Sequence, residues 1–305
     1  MFFKNIRLYR FTKRFDIKAE ELEEKLAAKP FETCKSFDFS RYGWVSPLGN
    51  GGEMLTHVLG GYIMLCGQKE EKILPASVIR EEVEVRVADL EVRQGRKVYR
   101  KEKLQLKDDV TAALLPQAFS RLIRTFAYLA PKDGLLVINT TSAKKAEEFL
   151  TCLRDSIDSL PVEIPTANHA PSDVMTRWVK QRKASDHFII NQDCEFYNPV
   201  ENSNIVRCKG QDMRGEEISA HLDAGKQIKK LGVIWNSSLS CILEDDLTIK
   251  RLRFDGIEQE KDRGGDAEPE SQRFDQDFAI MTLELSRFFT SLFAAFGGIG
   301  SDRRT

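Results

Sequence analysis

The side chains in this sequence that are best placed to do chemistry are basic ones, concentrated in short segments. Residues 93–107 contain seven basic side chains and a single acid, Glu102. On a helix with about 3.6 residues per turn, six of the seven fall on one face: Arg93, Arg96, Lys97, Arg100, Lys103 and Lys107. Such a face neutralises phosphate groups and is largely indifferent to base sequence. The segment is therefore a candidate contact with nucleic acid, although a single run of charge more often forms a solvated face.

Further basic side chains recur along the chain and indicate the same chemistry. The stretch 110–132 contains no acid and carries Arg121, Arg124 and Lys132. Two later clusters consist of Arg177, Lys180, Arg182 and Lys183, and of Lys226, Lys229 and Lys230 with Arg251 and Arg253. Any one cluster also fits a solvated surface, but residues 255–277 carry nine acids against three bases. Since the formal net charge is only −1, this separation of charge favours a distinct basic surface.

Paired carboxylates offer an alternative, metal-dependent chemistry. Asp108–Asp109 and Asp245–Asp246 could hold the divalent cation of a nuclease, although the two pairs also suit a helix start and a polar hairpin turn. The histidines are far apart in the sequence, without metal-ligand spacing: His57, His169, His187 and His221. The glycine-rich segments lack a phosphate-binding pattern. We therefore expect no catalytic residues, no cofactor and no metal, with a metal-dependent nuclease as the alternative.

Hydrophobic periodicity predicts the elements that position these side chains. Strands are expected over 2–11, 57–66 and 135–139, and as a three-strand meander over 227–254. Helices are expected over 18–28, over 76–106 (one helix, or two around Gly95), from Asp108–Asp109 to Pro116, from Ser142 onward, near 214–224, and from Arg273 to Phe296. Three prolines in 160–171 mark a candidate domain boundary, and 255–277 is predicted to be an exposed acidic loop. This combination indicates an α+β protein.

Composition is typical of an intracellular globular protein. The 305 residues allow about two domains. Six cysteines are scattered singly, as expected for reduced thiols in the cytosol. Charges interrupt the first apolar run, so no signal peptide is expected, and no stretch approaches the roughly 18 uncharged apolar residues of a membrane span. We expect a cytoplasmic protein without a membrane partner.

The end of the last predicted helix is apolar around most of its circumference. Its apolar residues are Phe288, Phe289, Leu292, Phe293 and Phe296. A helix of this kind is buried in a core, in a partner or in a membrane. We predict that these five residues form part of a dimer interface. The alternative is a peripheral membrane or adaptor protein that docks through 288–296, although this segment is short and lacks a basic face.

Motifs spread along the chain resemble the bacterial recombination-associated RdgC family over essentially the whole length. The most specific are the lysine-rich segment Lys69–Pro75 and the segment Ala118–Arg121, which follows Leu114–Pro116. The others are Phe3–Asn5 with Tyr9–Arg10, Gly43–Val45 with Pro47, Leu55–Val58, Ser142–Glu147, Lys250–Leu252, and Gln272–Asp275 with Asp277–Phe278. Because these segments occur in the family's order, coincidence is a poor explanation.

The resemblance implies a non-enzymatic DNA-binding protein with a curved, multi-lobed α+β subunit. By position, residues 1–75 and 117–160 correspond to a central region, 76–116 to a helical tip and 161–305 to a base. Two such subunits would close into a ring whose positively charged hole surrounds DNA. Family members bind single- and double-stranded DNA with little sequence preference and restrain the RecA recombinase. A nucleoid-associated homodimer is therefore implied here.

The resemblance also implies roles for individual residues. Phe119 and Arg121 correspond to a DNA-facing turn, and Lys209 and Gln211 to a polar finger from the base. With the basic clusters, the predicted DNA contacts are Arg93, Arg96, Lys97, Arg100, Lys103, Phe119, Arg121, Arg124, Lys209, Gln211, Lys226, Lys229, Lys230, Arg251 and Arg253. Gln117 and Gly210 stand where the family pattern has basic residues. Each departure removes a phosphate contact, so we expect a weaker finger.

Overall fold

Two antiparallel β-sheets and the helices packed on them make up the structure, a computed structural model that describes residues 1–49, 52–201, 204–255 and 269–300. The strands of the first sheet are β1 (Arg7–Phe11), β2 (Ser40–Val45), β3 (Thr56–Leu59), β4 (Tyr62–Lys72), β5 (Ser120–Ala130), β6 (Leu135–Ile138) and β7 (Val162–Glu163). Their order is β2-β4-β5-β6-β1-β7, and β3 pairs with the other end of β4. The long pair of β4 and β5 forms the centre of this sheet.

One face of the first sheet is covered by two amphipathic helices, α1 (Ala19–Ala27) and α4 (Ala143–Ile157). Their apolar residues recur at the spacing of three to four that places them on one side of a helix. Leu22 and Phe149 are completely buried, and Trp44 of β2 packs edge-on against Phe149 with ring centroids 5.2 Å apart. This packing fixes the sheet whose strand β5 begins beside the predicted DNA-facing turn.

The second sheet is built from the C-terminal half of the chain. Its strands are β8 (Phe188–Tyr197), β9 (Ile205–Cys208), β10 (Gln227–Trp235), β11 (Leu239–Glu244) and β12 (Ile249–Phe254), in the order β12-β11-β10-β8-β9. The predicted three-strand meander is thus confirmed as β10, β11 and β12. Helix α5 (Pro171–Gln181) packs on β10, and α6 (Glu216–Asp223) lies against α5. The two sheets are joined by a β-bridge between Ile6 and Ile249.

The long helix α7 (Glu270–Ala295) lies in the core that both sheets share. Phe278, Met281 and Leu285 are at most 1% exposed and belong to the same apolar cluster as Tyr128 of the first sheet and Leu231 of the second. The predicted helix from Arg273 to Phe296 is confirmed, with a start three residues earlier. Its stripe of apolar residues is long because it faces two sheets in succession.

The five residues that we predicted for a dimer interface are buried inside the subunit. Their exposed fractions do not exceed 8%: Phe288, Phe289, Leu292, Phe293 and Phe296. Trp178 of α5 stacks on Phe296, and Trp235 of β10 meets Phe288 edge-on, both with ring centroids 5.7 Å apart. The interface prediction is therefore corrected, because contacts within one subunit already remove these side chains from water. The same burial removes the basis for docking through 288–296.

By length and composition, the segment Ser271–Ala295 of α7 would suffice to cross a membrane, contrary to the expectation from the sequence. The core helix of a soluble protein meets the same criterion. In this fold the apolar side of α7 packs against the two sheets.

Two helices that we call the tip helices, α2 (Ala76–Gln94) and α3 (Arg100–Leu114), pack chiefly against each other. Gly95 ends α2 in the left-handed conformation, with a φ of 63°. The carboxylate of Glu102 then accepts the backbone N–H of Tyr99 at 2.9 Å and caps the start of α3. The sequence predicts either one helix or two helices over 76–106. The Glu102 cap begins a second helix, so two are present.

The cap at Tyr99 also corrects two predictions about charge. Asp108 and Asp109 do not begin a helix, since they lie inside α3. The six basic residues of 93–107 do not share the face of one helix, because Gly95 interrupts the helical register between Arg93 and Arg100.

Residues 57–66 form a hairpin rather than the single buried strand that we predicted. Strand β3 ends at Leu59 and β4 begins at Tyr62. Gly60 and Gly61 between them have φ angles of +62° and +89°. A two-residue turn with positive φ at both central positions matches the twist of the paired strands, and glycine adopts it without strain.

Other predictions agree with the structure. The helices expected over 18–28 and near 214–224 are α1 and α6, and the Ser142 hydroxyl accepts the N–H of Lys145 at 3.3 Å and caps α4. Antiparallel sheets with helices confirm the α+β class. Most of the predicted acidic loop, 256–268, lies outside the described residues, and its end is wrong because 270–277 is helical. The division into domains stays a prediction.

Candidate nucleic-acid interface

Most of the predicted DNA contacts lie at three places: the tip helices with their connection, the start of β5, and a cavity on the second sheet. The tip contributes five residues, all exposed: Arg93, Arg96, Lys97, Arg100 and Lys103. Among the described residues, four of the five have no carboxylate within 4.0 Å, the exception being Arg96. Four uncompensated charges therefore face solvent at the tip.

Arg96 differs because its charge is already balanced within the tip. Its guanidinium donates hydrogen bonds to both carboxylate oxygens of Glu102, at 2.7 and 2.9 Å, and lies 5.3 Å from the centroid of the Tyr99 ring. The bonds from Arg96, together with the Tyr99 N–H, lower the pKa of Glu102 to about 2. Arg96 therefore orders the connection between the helices and has little charge left for a phosphate.

A groove of about 530 Å³ runs between the tip helices. Leu74, Ile79, Val83 and Leu104 contribute its apolar lining. Its basic lining consists of Arg80, Arg100, Lys103 and Lys107. Leu104 is 57% exposed, which is unusual for a leucine in a helix that packs on another. The tip therefore presents apolar surface next to positive charge.

Phe119 lies directly before β5, where its backbone is held by a hydrogen bond and its ring is exposed to solvent. Its carbonyl accepts the N–H of Ile73 at 2.7 Å, so β4 and β5 hold the turn, while its side chain is 85% exposed. Arg121 donates from Nε to Glu71 at 2.7 Å, whereas Arg124 donates from Nε to the uncharged Gln68 at 2.8 Å. Phe119 and Arg124 are thus available to a ligand, and the charge of Arg121 is partly neutralised.

The third place, which we call the sheet cavity, has a volume of about 430 Å³ on the second sheet. It brings together Lys209, Lys230 and Arg251, which are widely separated in the sequence. Arg207 and Lys250 also line it, and sequence reasoning missed both. Asp193, Glu195 and Glu244 supply three acids to the same wall. Five basic side chains against three acids leave the cavity net positive.

A β-bulge explains why two consecutive residues of β12 reach this cavity. Ser240 pairs with Arg253 but Ile242 pairs with Lys250, so between these two pairs β12 has one residue more than β11. A bulge breaks the alternation of side chains between the two faces of a sheet. Arg251 takes a φ of 51° here, and its guanidinium lies 3.4 Å from Asp193. The alternation Leu252–Phe254, which predicted an outward Arg253, gave no sign of this bulge.

Acidic partners decide which cations of the sheet cavity remain available. Lys230 lies 3.1 Å from Glu195 and 3.4 Å from Glu244, Arg207 lies 2.8 Å from Glu195, and Lys250 lies 2.8 Å from Glu244. Burial opposes the ionisation of Glu195, but the hydrogen bonds from Arg207 and Lys230 outweigh it and lower the pKa. Lys230 is therefore a structural cation, and Lys209 is the exposed one that remains.

The predicted finger is a short turn held against β8. The backbone N–H of Gln211 donates to the carbonyl of Gln192 at 3.0 Å, and that of Gly210 to Asp193 Oδ1 at 3.2 Å. Gly210 has a φ of +61°, and a Cβ at this position would meet no atom within 4 Å, so backbone conformation rather than space disfavours a basic residue there. Gln117 is exposed at the end of the tip helices.

The remaining predicted contacts on the second sheet have different surroundings. Lys226 donates from Nζ to Asn204 Oδ1 at 3.0 Å. Lys229 faces Asp245, whose pKa is raised by burial even though Lys229 opposes that rise. Arg253 is exposed on β12. None of these three lines the sheet cavity.

With the other acids that the structure describes, the carboxylate pairs considered for a nuclease do not form a metal site. Asp108 and Asp109 are exposed on α3, while Asp245 and Asp246 form the turn between β11 and β12 as the hairpin alternative predicted. Asp246 is paired with Arg7 at 2.8 Å. Within the described ranges, no three or more His, Cys, Asp or Glu side chains are grouped so that they could hold a metal ion.

Comparison with known proteins gives one consistent result. Residues 1–299 match a family model described as "RdgC: Putative exonuclease, RdgC". A protein of Aeromonas hydrophila named Recombination-associated protein RdgC is 43% identical over 298 residues, which are 98% of each chain. Proteins of the same name from Pseudomonas putida KT2440 and Tolumonas auensis are each 42% identical over 299 residues, covering 98% of this chain and 98% and 99% of theirs.

Proposed function

The chain belongs to the RdgC family of recombination-associated proteins, and from this membership we propose that it binds DNA without sequence specificity. In this proposal a homodimer encircles or coats single- or double-stranded DNA and modulates RecA-dependent recombination. It acts as a binding protein rather than an enzyme, in the cytoplasm on the nucleoid. DNA and a second copy of the chain are its partners.

The observation that carries this proposal is the combination of uncompensated cations with an exposed aromatic ring. Lys97, Arg100 and Lys103 present charge at the tip, and Phe119 and Arg124 present a ring and a charge at the start of β5. Cations that release counterions from phosphates supply affinity without reading bases. An aromatic ring stacks on any base, because every base has a π-face.

The tip groove supports the homodimer. Its apolar lining, including Leu104 at 57% exposure, is a surface that a second copy of the chain would cover. The four phenylalanine and leucine residues predicted at the end of α7, and Phe296 directly after it, cannot serve this purpose, because they lie in the subunit core. We therefore propose that two subunits contact each other through the tip helices and not through the C-terminal helix. A ring closed at such a contact would restrain RecA by occupying the DNA that RecA needs.

A salt titration of binding to a random duplex tests the DNA-binding proposal. The logarithm of affinity should fall with the logarithm of salt concentration by about 0.9 for each neutralised phosphate. Scrambling the DNA sequence should change the affinity little. A shallow salt dependence, or a strong preference for one sequence, would contradict non-specific binding through phosphates.

A nuclease is the second candidate, because the family model carries the words "putative exonuclease", whereas the curated relatives are named for recombination. Incubation of plasmid and linear DNA with the protein and Mg²⁺ or Mn²⁺ separates the two. We expect DNA of unchanged length. Progressive shortening that disappears in an Asp108→Asn/Asp109→Asn or Asp245→Asn/Asp246→Asn variant would establish the nuclease.

A further inference from the structure

Two cysteines of the second sheet face each other across a pair of strands. Cys194 of β8 and Cys208 of β9 are direct partners in the antiparallel register. Cα atoms of such partners lie about 4.5–5.5 Å apart with side chains on the same face, and a disulfide spans Cα separations of about 4.4–6.8 Å. Both cysteines are free thiols. The backbone therefore already holds the geometry that a disulfide requires.

The pair is open to solvent at one side only, because Cys194 belongs to the apolar core that both sheets share and Cys208 packs at the edge of that core. Cys194 is 5% exposed, and Cys208 is more open to solvent. Cys208 is therefore the thiol of the pair that a small oxidant in solution meets first. The other cysteines lack such a partner: Cys66 is in register with Val45 and Phe126, and Cys241 with Val233. Reactivity should therefore concentrate at this pair.

We propose that Cys194 and Cys208 are a modification site at which peroxide forms a reversible disulfide within one subunit. The Cys208 thiolate attacks one peroxide oxygen, becomes a sulfenic acid and releases the other oxygen as water. The Cys194 sulfur then attacks the Cys208 sulfur, an S–S bond forms, and the sulfenic oxygen leaves as a second water. Two thiols are oxidised, and one peroxide is reduced to two waters. A small dithiol reverses the change by thiol–disulfide exchange.

The cross-link would act on an edge strand and on the turn beyond it. Strand β9 has four residues and is the outer strand of the second sheet, where β8 is its one partner among the described strands. Its last residue is Cys208, and the chain continues directly into Lys209, Gly210 and Gln211. A bond from Cys208 to β8 removes the fraying of this end. The proposal thus places a redox control on the segment that carries Lys209, independently of whether that segment binds DNA.

Peptide mapping of the full-length protein tests the cross-link. The reduced protein is treated with hydrogen peroxide, remaining thiols are alkylated, and the protein is digested without reductant. We expect the Cys194 and Cys208 peptides joined and lighter by two hydrogens, and separate again after treatment with dithiothreitol. Two alkylated peptides after peroxide, or a link from either cysteine to another cysteine or another copy, would overturn the proposal.

Two variants and one further measurement sharpen the test. Cys208→Ser should abolish the cross-link, whereas Cys34→Ser, which removes a similarly exposed thiol elsewhere, should leave it unchanged. The wild-type result decides even if a variant folds poorly. Hydrogen exchange should be several-fold slower across 205–211 in the oxidised protein than in the reduced one. Equal exchange in both forms would refute the control of the turn.

Discussion

Phe119 is the residue whose role the structure narrows most. The sequence predicts that Phe119 is a DNA contact, and its 85% exposure excludes the alternative of a core residue. A ring that lies in solvent makes few packing contacts that its removal could destroy. We therefore treat its effect on DNA binding and its effect on stability as separable.

Phe119→Ala should weaken DNA binding by about 1–3 kcal/mol, the contribution of one stacked base, and leave the melting temperature nearly unchanged. Binding and thermal denaturation measured on the same variant check this. Phe37→Ala is a matched control, because Phe37 is an aromatic of similar exposure, 71%, outside the predicted contacts. A lower melting temperature with unchanged affinity would assign Phe119 to folding.

Glu195 illustrates a charge that serves stability. Its pKa is lowered in the fold, so its contribution is present above the unfolded value of about 4.3 and is lost as the pH falls through the lower folded value. Glu195→Gln should cost about 1–3 kcal/mol at pH 7, because Arg207 and Lys230 lose a charged acceptor. Urea denaturation at pH 7 and near pH 3 should show this difference shrinking in acid. Glu24→Gln on the exposed side of α1 is the control, and a cost independent of pH would argue against the ion pairs.

At the scale of elements, the tip helices show how a helix cap changes where basic side chains lie. Gly95 and the Glu102 cap turn one predicted basic face into two helices and a connection. Arg96 is hydrogen-bonded inside this connection, so the predicted phosphate contacts of the tip are left to Lys97, Arg100 and Lys103. In helix α7, likewise, the apolar surface that the sequence suggested for a partner is covered by the two sheets of the same subunit.

The triple variant Lys97→Ala/Arg100→Ala/Lys103→Ala should make the salt dependence of DNA binding shallower, by up to about 0.9 for each phosphate that is no longer neutralised. Folding should be hardly affected, since all three side chains are exposed. The control is Lys13→Ala/Lys144→Ala/Lys145→Ala, which removes three exposed charges outside the predicted contacts. An equal decrease in affinity for both variants would mean that net charge matters rather than the tip.

At the scale of the whole molecule, an open basic surface and a closed ring predict different modes of release. Protein on an open surface leaves DNA sideways once phosphate contacts weaken, whereas a closed dimer needs a DNA end or an opened subunit contact. Apolar contacts resist salt that screens charges. Protein loaded on a covalently closed plasmid should therefore survive a high-salt wash better than protein on the same plasmid cut once. Equal release from both would remove the ring and leave a basic-surface binder.

The sequence by itself determined the features that depend on near neighbours in the chain. Ser142 predicted the start of α4, because its hydroxyl caps an N–H three residues away. The spacing of apolar residues predicted α1, α6, α7 and the three-strand meander, since each element must bury one face. Motifs in order along the chain identified the family. Each of these signals lies within a short window or depends only on order.

Only the tertiary structure decided which side chains are available, because availability depends on residues distant in the chain. Glu195 and Glu244 neutralise Lys230 from other strands, and a bulge places Arg251 beside Asp193. The phenylalanines at the end of α7 look the same in sequence whether a core or a second subunit covers them. Here Trp178, Trp235 and the rest of the shared core cover them. Whether a side chain is buried, and whether its charge is neutralised, depends on all the residues around it in the fold. The periodicity of one segment does not show which distant residues these are.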